Sequence, residues 1–149
     1  MIQGKWYAPG EDLAEVLPVR RAVFGLGEDP LDAESWNVLV WEDEVPAASG
    51  RIWWRDGAYR LGDLCVLPDR RGRKLGDLVL RLLLFKAQSH AAREVRLACS
   101  PDCCGFFARL GFLPESVSGQ ETEMLLEGDR IELDSCKNCR KDNCPNRKN

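Results

Sequence analysis

A basic turn punctuated by two glycines carries the residues best suited to binding an anion. In LCVLPDRRGRKLGDLVL, residues 64–80, a short apolar run meets a proline, and an apolar helical pattern follows the turn. N–H groups at a helix start lack intrahelical partners and the helix dipole is positive there, so the turn could hold a phosphate. Gly72 and Gly76 permit close approach of the backbone. Further positive charge comes from Arg70, Arg71, Arg73 and Lys74. Taken alone, a turn of this kind favours a solvent-exposed connection over a phosphate site.

Three cysteines near the end of the chain have a spacing that is compatible with a metal site. The stretch CKNCRKDNC places Cys136, Cys139 and Cys144 in the pattern C-x2-C-x4-C. The two thiolates of a C-x2-C pair converge on one metal ion, although a closed zinc site needs a fourth ligand. We expect zinc first and an iron–sulfur cluster second. A redox pair, or a reduced tail without metal, is the alternative.

Composition and charge limit the classes of protein to consider. The chain has 149 residues, of which 44% are hydrophobic and 30% charged, and this fits one globular domain. No apolar stretch reaches the ~18 residues of a membrane span. No secretory signal is visible, so we expect a cytoplasmic protein with reduced thiols, either monomeric or homodimeric. The net charge of −3 combines +4 in residues 136–149 with −7 elsewhere, which argues against a nucleic-acid surface.

The hydrophobic patterns predict an α/β (α+β) domain with a mixed sheet over residues 1–128, followed by a Cys-rich basic tail over 129–149. Continuous or alternating apolar runs indicate strands, and a period of three to four residues indicates a long helix near 73–91. Pro18 is expected to interrupt the first helical segment. Ser100 is expected to cap a short helix that Gly111 ends. The predicted order is β-α-β-β-β-α-β-α-β-β, with the last two strands forming a hairpin around SGQ.

The glycine-containing turn resembles the acetyl-coenzyme A motif of the GCN5-related N-acetyltransferase (GNAT) superfamily. That motif reads Val-x-Pro, then Arg or Gln, two residues, Gly, any residue, and Gly or Ala. Val66, Pro68, Arg71 and Gly76 match it, whereas Lys74 stands where the first glycine belongs. ElaA-like members have a similar Gly-x-Lys-x-Gly loop. The resemblance therefore implies that this Lys either adopts a glycine-like backbone angle or reaches a cofactor phosphate.

A second motif supports the same resemblance over about residues 3–127. The stretch GFFARLGF is similar to the family's short helix Phe-Tyr-x-x-Leu-Gly-Phe, which Phe106, Leu110, Gly111 and Phe112 match. The earlier VRRAVFG resembles the acceptor-side helix of ElaA-like members. These similarities imply a GNAT-type fold, with a mixed, mostly antiparallel central sheet flanked by helices.

The resemblance implies where acetyl-coenzyme A would bind. The strand before the turn would splay from its neighbour, and the pantetheine arm would lie in the gap against backbone groups of Leu64, Cys65 and Val66. Ser100 and Phe106 belong to the same expected site. The pyrophosphate would be held by the N–H groups of Arg71, Gly72, Arg73, Lys74, Leu75, Gly76 and Asp77.

The resemblance also implies direct attack of an amine on the thioester, with an acid to protonate the departing thiolate. Phe107 stands where the family has its tyrosine acid. Three interpretations remain open. Cys103 or Cys104 takes over, because a thiol in the first turn of a helix has a lowered pKa; no acid is needed; or the cofactor binds without turnover.

The base that would neutralise the amine has three candidates. Asp63 lies on the strand beside the expected thioester, and Glu121 and Glu123 share a face of the last hairpin by strand alternation. The sequence thus predicts an acetyl-coenzyme A-dependent N-acetyltransferase for a small-molecule or peptide amine. The alternative is a non-catalytic acetyl-coenzyme A-binding or metal/redox-sensing module that uses the Cys-rich tail.

Overall fold

The computed structural model describes residues 1–133, which form seven strands and three α-helices. Their order confirms the predicted β-α-β-β-β-α-β-α-β-β. The helices are α1 (Leu17–Phe24), α2 (Leu75–Ser89) and α3 (Cys104–Ala108). The strands are β1 (Ile2–Tyr7), β2 (Trp36–Glu42), β3 (Val45–Arg55), β4 (Ala58–Val66), β5 (Glu94–Cys99), β6 (Leu113–Ser118) and β7 (Glu121–Glu127).

All seven strands belong to one sheet in the order β1-β2-β3-β4-β5-β7-β6. Neighbouring strands run antiparallel except β4 and β5, which are parallel. This confirms the mixed, mostly antiparallel sheet. The parallel pair is joined by α2, the crossover that a parallel connection requires.

The parallel strands β4 and β5 pair only at their first residues. Tyr59 lies opposite Val95, and Arg60 lies opposite Arg96. Farther along, β4 carries an irregularity in its pairing with β3, where Asp63 has a φ of +51°. Such a bulge adds an unpaired residue and bends its strand. The ends of β4 and β5 consequently diverge and leave a gap, as expected for a splayed pair.

Helices α1 and α2 cover opposite faces of the sheet. Leu39 of β2 packs in the cluster under α1, whereas its neighbours Val38 and Val40 pack in the cluster with α2, because successive strand residues point to opposite faces. On the α2 side, a Cβ at Gly50 would lie 2.9 Å from Cγ1 of Val79, so only glycine permits this approach of helix to sheet.

Pro18 does not interrupt a helix. It lies in the first turn of α1, which begins at Leu17. Proline is tolerated there because the N–H that it lacks would have no intrahelical partner. The expectation of an interruption was wrong for this reason.

The chain stays packed beyond β7. Ile131 is buried, and its carbonyl accepts a hydrogen bond from Nε2 of Gln88 on α2 at 3.3 Å. The carbonyl of Leu133 accepts one from Nη1 of Arg81 at 3.2 Å. Within residues 1–133 no helix combines the length and apolar character that crossing a bilayer requires. The tail cysteines Cys136, Cys139 and Cys144 lie outside the described residues, so the metal prediction stays a prediction.

Candidate active site

The turn between β4 and α2 contains two residues with left-handed backbone angles. Gly72 has a φ of +82°, and Lys74 has a φ of +65° and a ψ of +21°. For a residue other than glycine the left-handed region costs roughly 1–2 kcal/mol. Lys74 therefore adopts the glycine-like backbone angle that was the first of the two arrangements expected for it. Its carbonyl accepts the first N–H bond of α2, from Leu78 at 3.1 Å.

Three arginines tie this turn to the strands beside it. Arg70 and Arg73 both donate to Oε1 of Glu42, at 2.9 and 2.7 Å. Hydrogen bonds from these two guanidinium groups hold the pKa of Glu42 below its usual value. Arg71 donates through Nε to the carbonyl of Val66 at 3.1 Å. The side chain of Arg73 is thus bound to Glu42 of β2. Only the backbone N–H of Arg73 remains available to the expected phosphate site.

A cleft of about 460 Å³ opens beside this turn, on the α2 side of the sheet. We call it the cofactor-side cleft. Its charged lining consists of four basic side chains and one acid: Arg71, Lys74, Arg81, Arg109 and Asp77. Arg81 donates to Asp77 at 2.7 Å. The positive excess, together with the start of α2, suits a ligand with several phosphate charges.

Aromatic and apolar groups form the floor of the cofactor-side cleft. Phe106 of α3 lies with its Cζ 3.6 Å from the place where a Cβ at Gly76 would be, and Cγ2 of Val66 lies 3.4 Å from the same point. A Cβ at position 76 would therefore be in van der Waals contact with both side chains. The guanidinium of Arg109 lies 5.7 Å from the centre of the Phe106 ring.

A second cleft, of about 250 Å³, lies between the diverging strands β4 and β5. We call it the acceptor-side cleft. Asp63 and Leu64 line it from β4, whereas Cys99 and the following Ser100 line it from the β5 side. Phe24 of α1 also lines it, and Cys99 belongs to the cluster with α2, so this cleft reaches both faces of the sheet at the gap. The remaining lining residues are Leu61, Gly62, Leu97, Ala98, Cys103, Phe107 and Glu121.

Asp63 is engaged by two arginines. Its Oδ2 lies 3.0 Å from Nη2 of Arg51 and 3.6 Å from Nε of Arg20. Both arginines are buried, so their charges need this partner. The carboxylate therefore holds the bulge of β4 in place, in addition to lining the cleft.

The same arginines belong to a buried network that sequence reasoning missed. Arg20 donates to both oxygens of Asp32, at 2.9 and 3.1 Å, and to Oδ1 of Asn37 at 2.8 Å. Burial alone would raise the pKa of Asp32, but hydrogen bonds from Arg20 and from the N–H of Asp29 lower it to about 2. The only sequence signal was the basic pair inside the apolar segment VRRAVFG.

The two glutamates of the last hairpin have different surroundings. Glu123 accepts two hydrogen bonds from Arg60, at 2.8 and 2.9 Å, and these hold its pKa below the usual value. Glu121 lines the acceptor-side cleft and is exposed, and it forms no ion pair within the described part of the chain. Glu121 is thus the more available carboxylate.

The side chain at the expected position of the acid is an apolar ring. Phe107 is 9% exposed, and its ring packs edge-on against Phe106 and Phe112 at centroid distances of 5.1 and 6.0 Å. The two tyrosines of the chain do not line the acceptor-side cleft. Tyr7 donates to Glu15 at 2.7 Å, and Tyr59 packs on Trp54. Neither tyrosine of this chain therefore takes the place of the family's tyrosine acid.

The protic side chains near Phe107 are thiols and a hydroxyl. Cys103 is exposed and lines the acceptor-side cleft, whereas Cys104 is half-buried and does not. The Ser100 hydroxyl makes no capping bond to the helix, contrary to expectation. Its Oγ lies 3.5 Å from Sγ of Cys103 instead.

The residues expected to line the pantetheine arm lie in the bulge of β4, where Leu64 is, and directly after it. Cys65 pairs with Ser49, and Val66 pairs with Ala48. The Cys65 side chain is buried under α1, which raises the pKa of its thiol to about 12, so only its backbone is available. Leu64 lines the acceptor-side cleft.

The sequence of this chain is similar to those of known acetyltransferases. The sequence pattern of the acetyltransferase (GNAT) family matches residues 9–112. An uncharacterized N-acetyltransferase of Bacillus subtilis, YjcF, is 26% identical over 110 residues, which is 68% of this chain and 79% of that protein.

Two solved structures illustrate the similarity of fold. ElaA of Escherichia coli superposes with a TM-score of 0.71 at 22% identity, over 85% of this chain and all of that one. A PaiA N-acetyltransferase of Thermoplasma acidophilum, solved with coenzyme A, gives a TM-score of 0.69 at 14% identity, over 85% and 99% of the two chains. The family match and the name of the relative support acyl or acetyl transfer in general. This chain belongs to the acetyltransferase (GNAT) family.

Proposed function

We propose that this protein transfers the acetyl group of acetyl-coenzyme A to a primary amine that carries an apolar substituent. One observation carries the proposal. A cleft with a basic lining that includes Lys74 and Arg71 lies beside the turn after β4, and a cleft whose charged lining residues are Asp63 and Glu121 lies between β4 and β5. An anionic cofactor would find a complementary surface in the first cleft, and a cationic amine would find one beside Glu121 in the second.

The residues of the cofactor-side cleft fit acetyl-coenzyme A. The backbone from Arg71 to Asp77 would hold the pyrophosphate, and Lys74 would add a charged donor. Phe106 offers an apolar surface to the cofactor. Leu64, Cys65 and Val66 would hold the pantetheine arm through their backbone, with Ser100 directly after β5. The coenzyme A complex of the structurally similar PaiA protein supports this assignment.

The walls of the acceptor-side cleft favour a partly apolar amine. Phe24, Leu61, Leu97 and Phe107 contribute apolar surface there, and Phe24 is 43% exposed. A cation is favoured at the same place because Glu121 lines it without an ion pair among residues 1–133 and no basic side chain lines it. An amine with an aryl or alkyl body would satisfy both features.

We assign the proton transfers to residues of this cleft. Glu121 takes the proton from the ammonium group, because it lines the cleft without an ion pair among residues 1–133. Asp63 orients the amine while it remains paired with Arg51. Cys103 protonates the departing thiolate, with Cys104 as the second candidate. Positioning of the two substrates across the gap would supply much of the rate.

Steady-state release of thiol tests this function. The amine panel is 2-phenylethylamine, ethanolamine and phenylalanine, which all carry a primary amine. Ethanolamine lacks the phenyl group, and phenylalanine has a carboxylate in addition to it. We expect the highest kcat/KM for 2-phenylethylamine, because ethanolamine lacks the apolar body and phenylalanine brings a carboxylate towards Glu121. Binding of acetyl-coenzyme A in calorimetry without turnover of any amine would favour the non-catalytic alternative.

We also propose that Cys136, Cys139 and Cys144 bind zinc, with an iron–sulfur cluster as the second choice. Their spacing supports this proposal. Over residues 1–133 no group of three or more metal-ligating side chains is present. A fourth ligand would therefore come from the tail itself, from a single residue of the domain, from a second chain or from solvent.

A further inference from the structure

Two thiols meet at the junction of β5 and α3. Sγ of Cys99, the last residue of β5, lies 3.5 Å from Sγ of Cys104, the first residue of α3. The intervening turn folds Cys104 back, since Cys103 donates its N–H to the carbonyl of Ser100 at 3.0 Å. The sulfurs of a disulfide are about 2.05 Å apart, so the pair must approach by roughly 1.5 Å to form one.

The surroundings single out this pair among the four cysteines of residues 1–133. Cys65 is buried on β4. Cys103 has its sulfur beside the hydroxyl of Ser100. Cys104 is half-buried, so an oxidant in solvent can reach it while its sulfur already faces Cys99. We propose that Cys99 and Cys104 are a modification site, in which a hydroperoxide oxidises the two thiols to a reversible disulfide.

The chemistry balances with hydrogen peroxide as the oxidant. The Cys104 thiol attacks one peroxide oxygen, the O–O bond breaks, and the products are a sulfenic acid and one water. The Cys99 sulfur then attacks the Cys104 sulfur, the S–O bond breaks, and hydroxide leaves with the Cys99 proton as a second water. Two thiols are oxidised, and one peroxide is reduced to two waters.

The environment of Cys99 makes it the less reactive of the two thiols towards the oxidant. Burial, with the neighbouring Cys104 adding to it, raises the pKa of Cys99 to about 12. Cys99 is therefore a protonated thiol at neutral pH, and it is less reactive towards peroxide than an exposed thiol. Cys104 is the sulfur that meets the oxidant first, and Cys99 resolves the sulfenic acid.

The disulfide would act on the site described above, and this part of the inference rests on the proposed function. Cys99 lines the acceptor-side cleft, as does Phe107, three residues after Cys104. Phe106 lines the cofactor-side cleft. Because α3 has only five residues, drawing Cys104 towards β5 moves both rings. Oxidation would then reduce turnover, since small displacements of substrate-positioning groups are costly.

Peptide mass spectrometry tests the modification itself. The full-length chain, with Cys136, Cys139 and Cys144 replaced by serine, is treated with hydrogen peroxide, alkylated and digested with trypsin. One tryptic peptide, residues 97–109, contains Cys99, Cys103 and Cys104. We expect this peptide to lose two hydrogen atoms and to keep one alkylated thiol. Dithiothreitol should reverse the change.

Single substitutions in the same background identify the pair. Cys103→Ser should retain the oxidation, whereas Cys99→Ser and Cys104→Ser should each abolish it. A disulfide that survives Cys104→Ser would join Cys99 to Cys103 and would overturn the proposal. Conversion of the thiols to sulfinic acid without any disulfide would overturn it as well.

Activity measured on the same samples tests the effect on the cleft. We expect oxidation to lower thiol release by about tenfold or more, with recovery on reduction. A complete disulfide with unchanged turnover would refute the effect on the cleft. Absence of turnover before oxidation would count against the proposed function alone, because the mass measurement does not depend on activity.

Discussion

Asp32 of the loop before β2 and Arg20 of α1 form a doubly hydrogen-bonded ion pair that is almost wholly buried. The two distances are 2.9 and 3.1 Å, and the residues are 3% and 1% exposed. Arg51 also lies 3.1 Å from Asp32 and 3.0 Å from Asp63. The pair therefore supports the bulge of β4, at which the acceptor-side cleft begins.

Replacing Asp32 by asparagine should destabilise the fold by about 3–5 kcal/mol, because the charges of Arg20 and Arg51 would lose a buried partner. Urea unfolding at neutral pH measures this loss. Glu28→Gln, a change to an exposed carboxylate, should leave the free energy of unfolding within about 0.5 kcal/mol of the original. Equal values for both variants would contradict the role given to the pair.

The contribution of Asp32 should also depend on pH. Its pKa is lowered in the folded protein to about 2, against about 3.9 for an unfolded chain. The stabilisation is therefore fully present above about pH 4 and is lost as the pH falls towards 2. The difference in stability between the original protein and Asp32→Asn should shrink across this window. A constant difference would show that ionisation of Asp32 is not its source.

Replacing Glu121 by glutamine should lower kcat/KM for 2-phenylethylamine by about 100-fold or more, which is the scale of a lost general base. The dissociation constant for acetyl-coenzyme A should stay the same, because Glu121 lines the other cleft. Glu123→Gln is the matched control, two residues away on the same strand, and its carboxylate is held by Arg60. A larger loss in the control would reassign the base.

Lys74→Gly separates the two roles of this residue. Removing the side chain relieves a left-handed φ of +65°, so the free energy of unfolding should rise by about 1 kcal/mol. Loss of the charged donor should weaken acetyl-coenzyme A binding by about tenfold in calorimetry. Arg73→Ala, in which the lost side chain faces Glu42, should weaken binding less. Unchanged affinity in Lys74→Gly would leave Lys74 with a backbone role only.

Phe107→Tyr tests whether a proton donor is missing or has been replaced. We expect Cys103→Ala to lower kcat by about 10- to 100-fold, and we expect this loss to disappear in the Phe107→Tyr background, because the new hydroxyl supplies the proton. Steady-state rates of the two single variants and the double variant complete the cycle. Additive effects of the two changes would mean that they do not serve the same step.

The full-length chain should bind one zinc ion, and the variant with serine at 136, 139 and 144 should bind none. The physical reason is the convergence of thiolates in a C-x2-C pair. Elemental analysis of metal-loaded, dialysed protein measures the content. Cys65→Ala, which removes a buried thiol of the domain, should keep the metal. Iron with sulfide in place of zinc would favour the second choice, and equal zinc in all three proteins would refute the site.

Local features of the site could be predicted from the sequence. The turn from Arg71 to Asp77 and the short helix at Phe106 are contiguous segments whose residue spacing follows from their own geometry. The strand and helix order followed from periodicity for the same reason. Pro18 and Ser100 were misjudged, because a proline fits a first helical turn and a serine next to Cys103 has another partner.

Relationships across the sheet could not be predicted. Glu121 and Glu123 look alike in the sequence, and the difference comes from Arg60, which is 63 residues away along the chain. Likewise, nothing near Asp63 indicates that Arg51 of the neighbouring strand and Arg20 of α1 meet it. Such pairings depend on strand register and helix placement, which no local pattern specifies.

The separation of the two clefts has a consequence for the order in which ligands bind and leave. The two clefts share no lining residue, with Lys74 in one and Glu121 in the other. Under the proposed function, a bulky nucleotide in the first cleft would leave the second cleft available to a small amine, and both ligands could be present together. Each product could then leave from its own cleft, without waiting for the other.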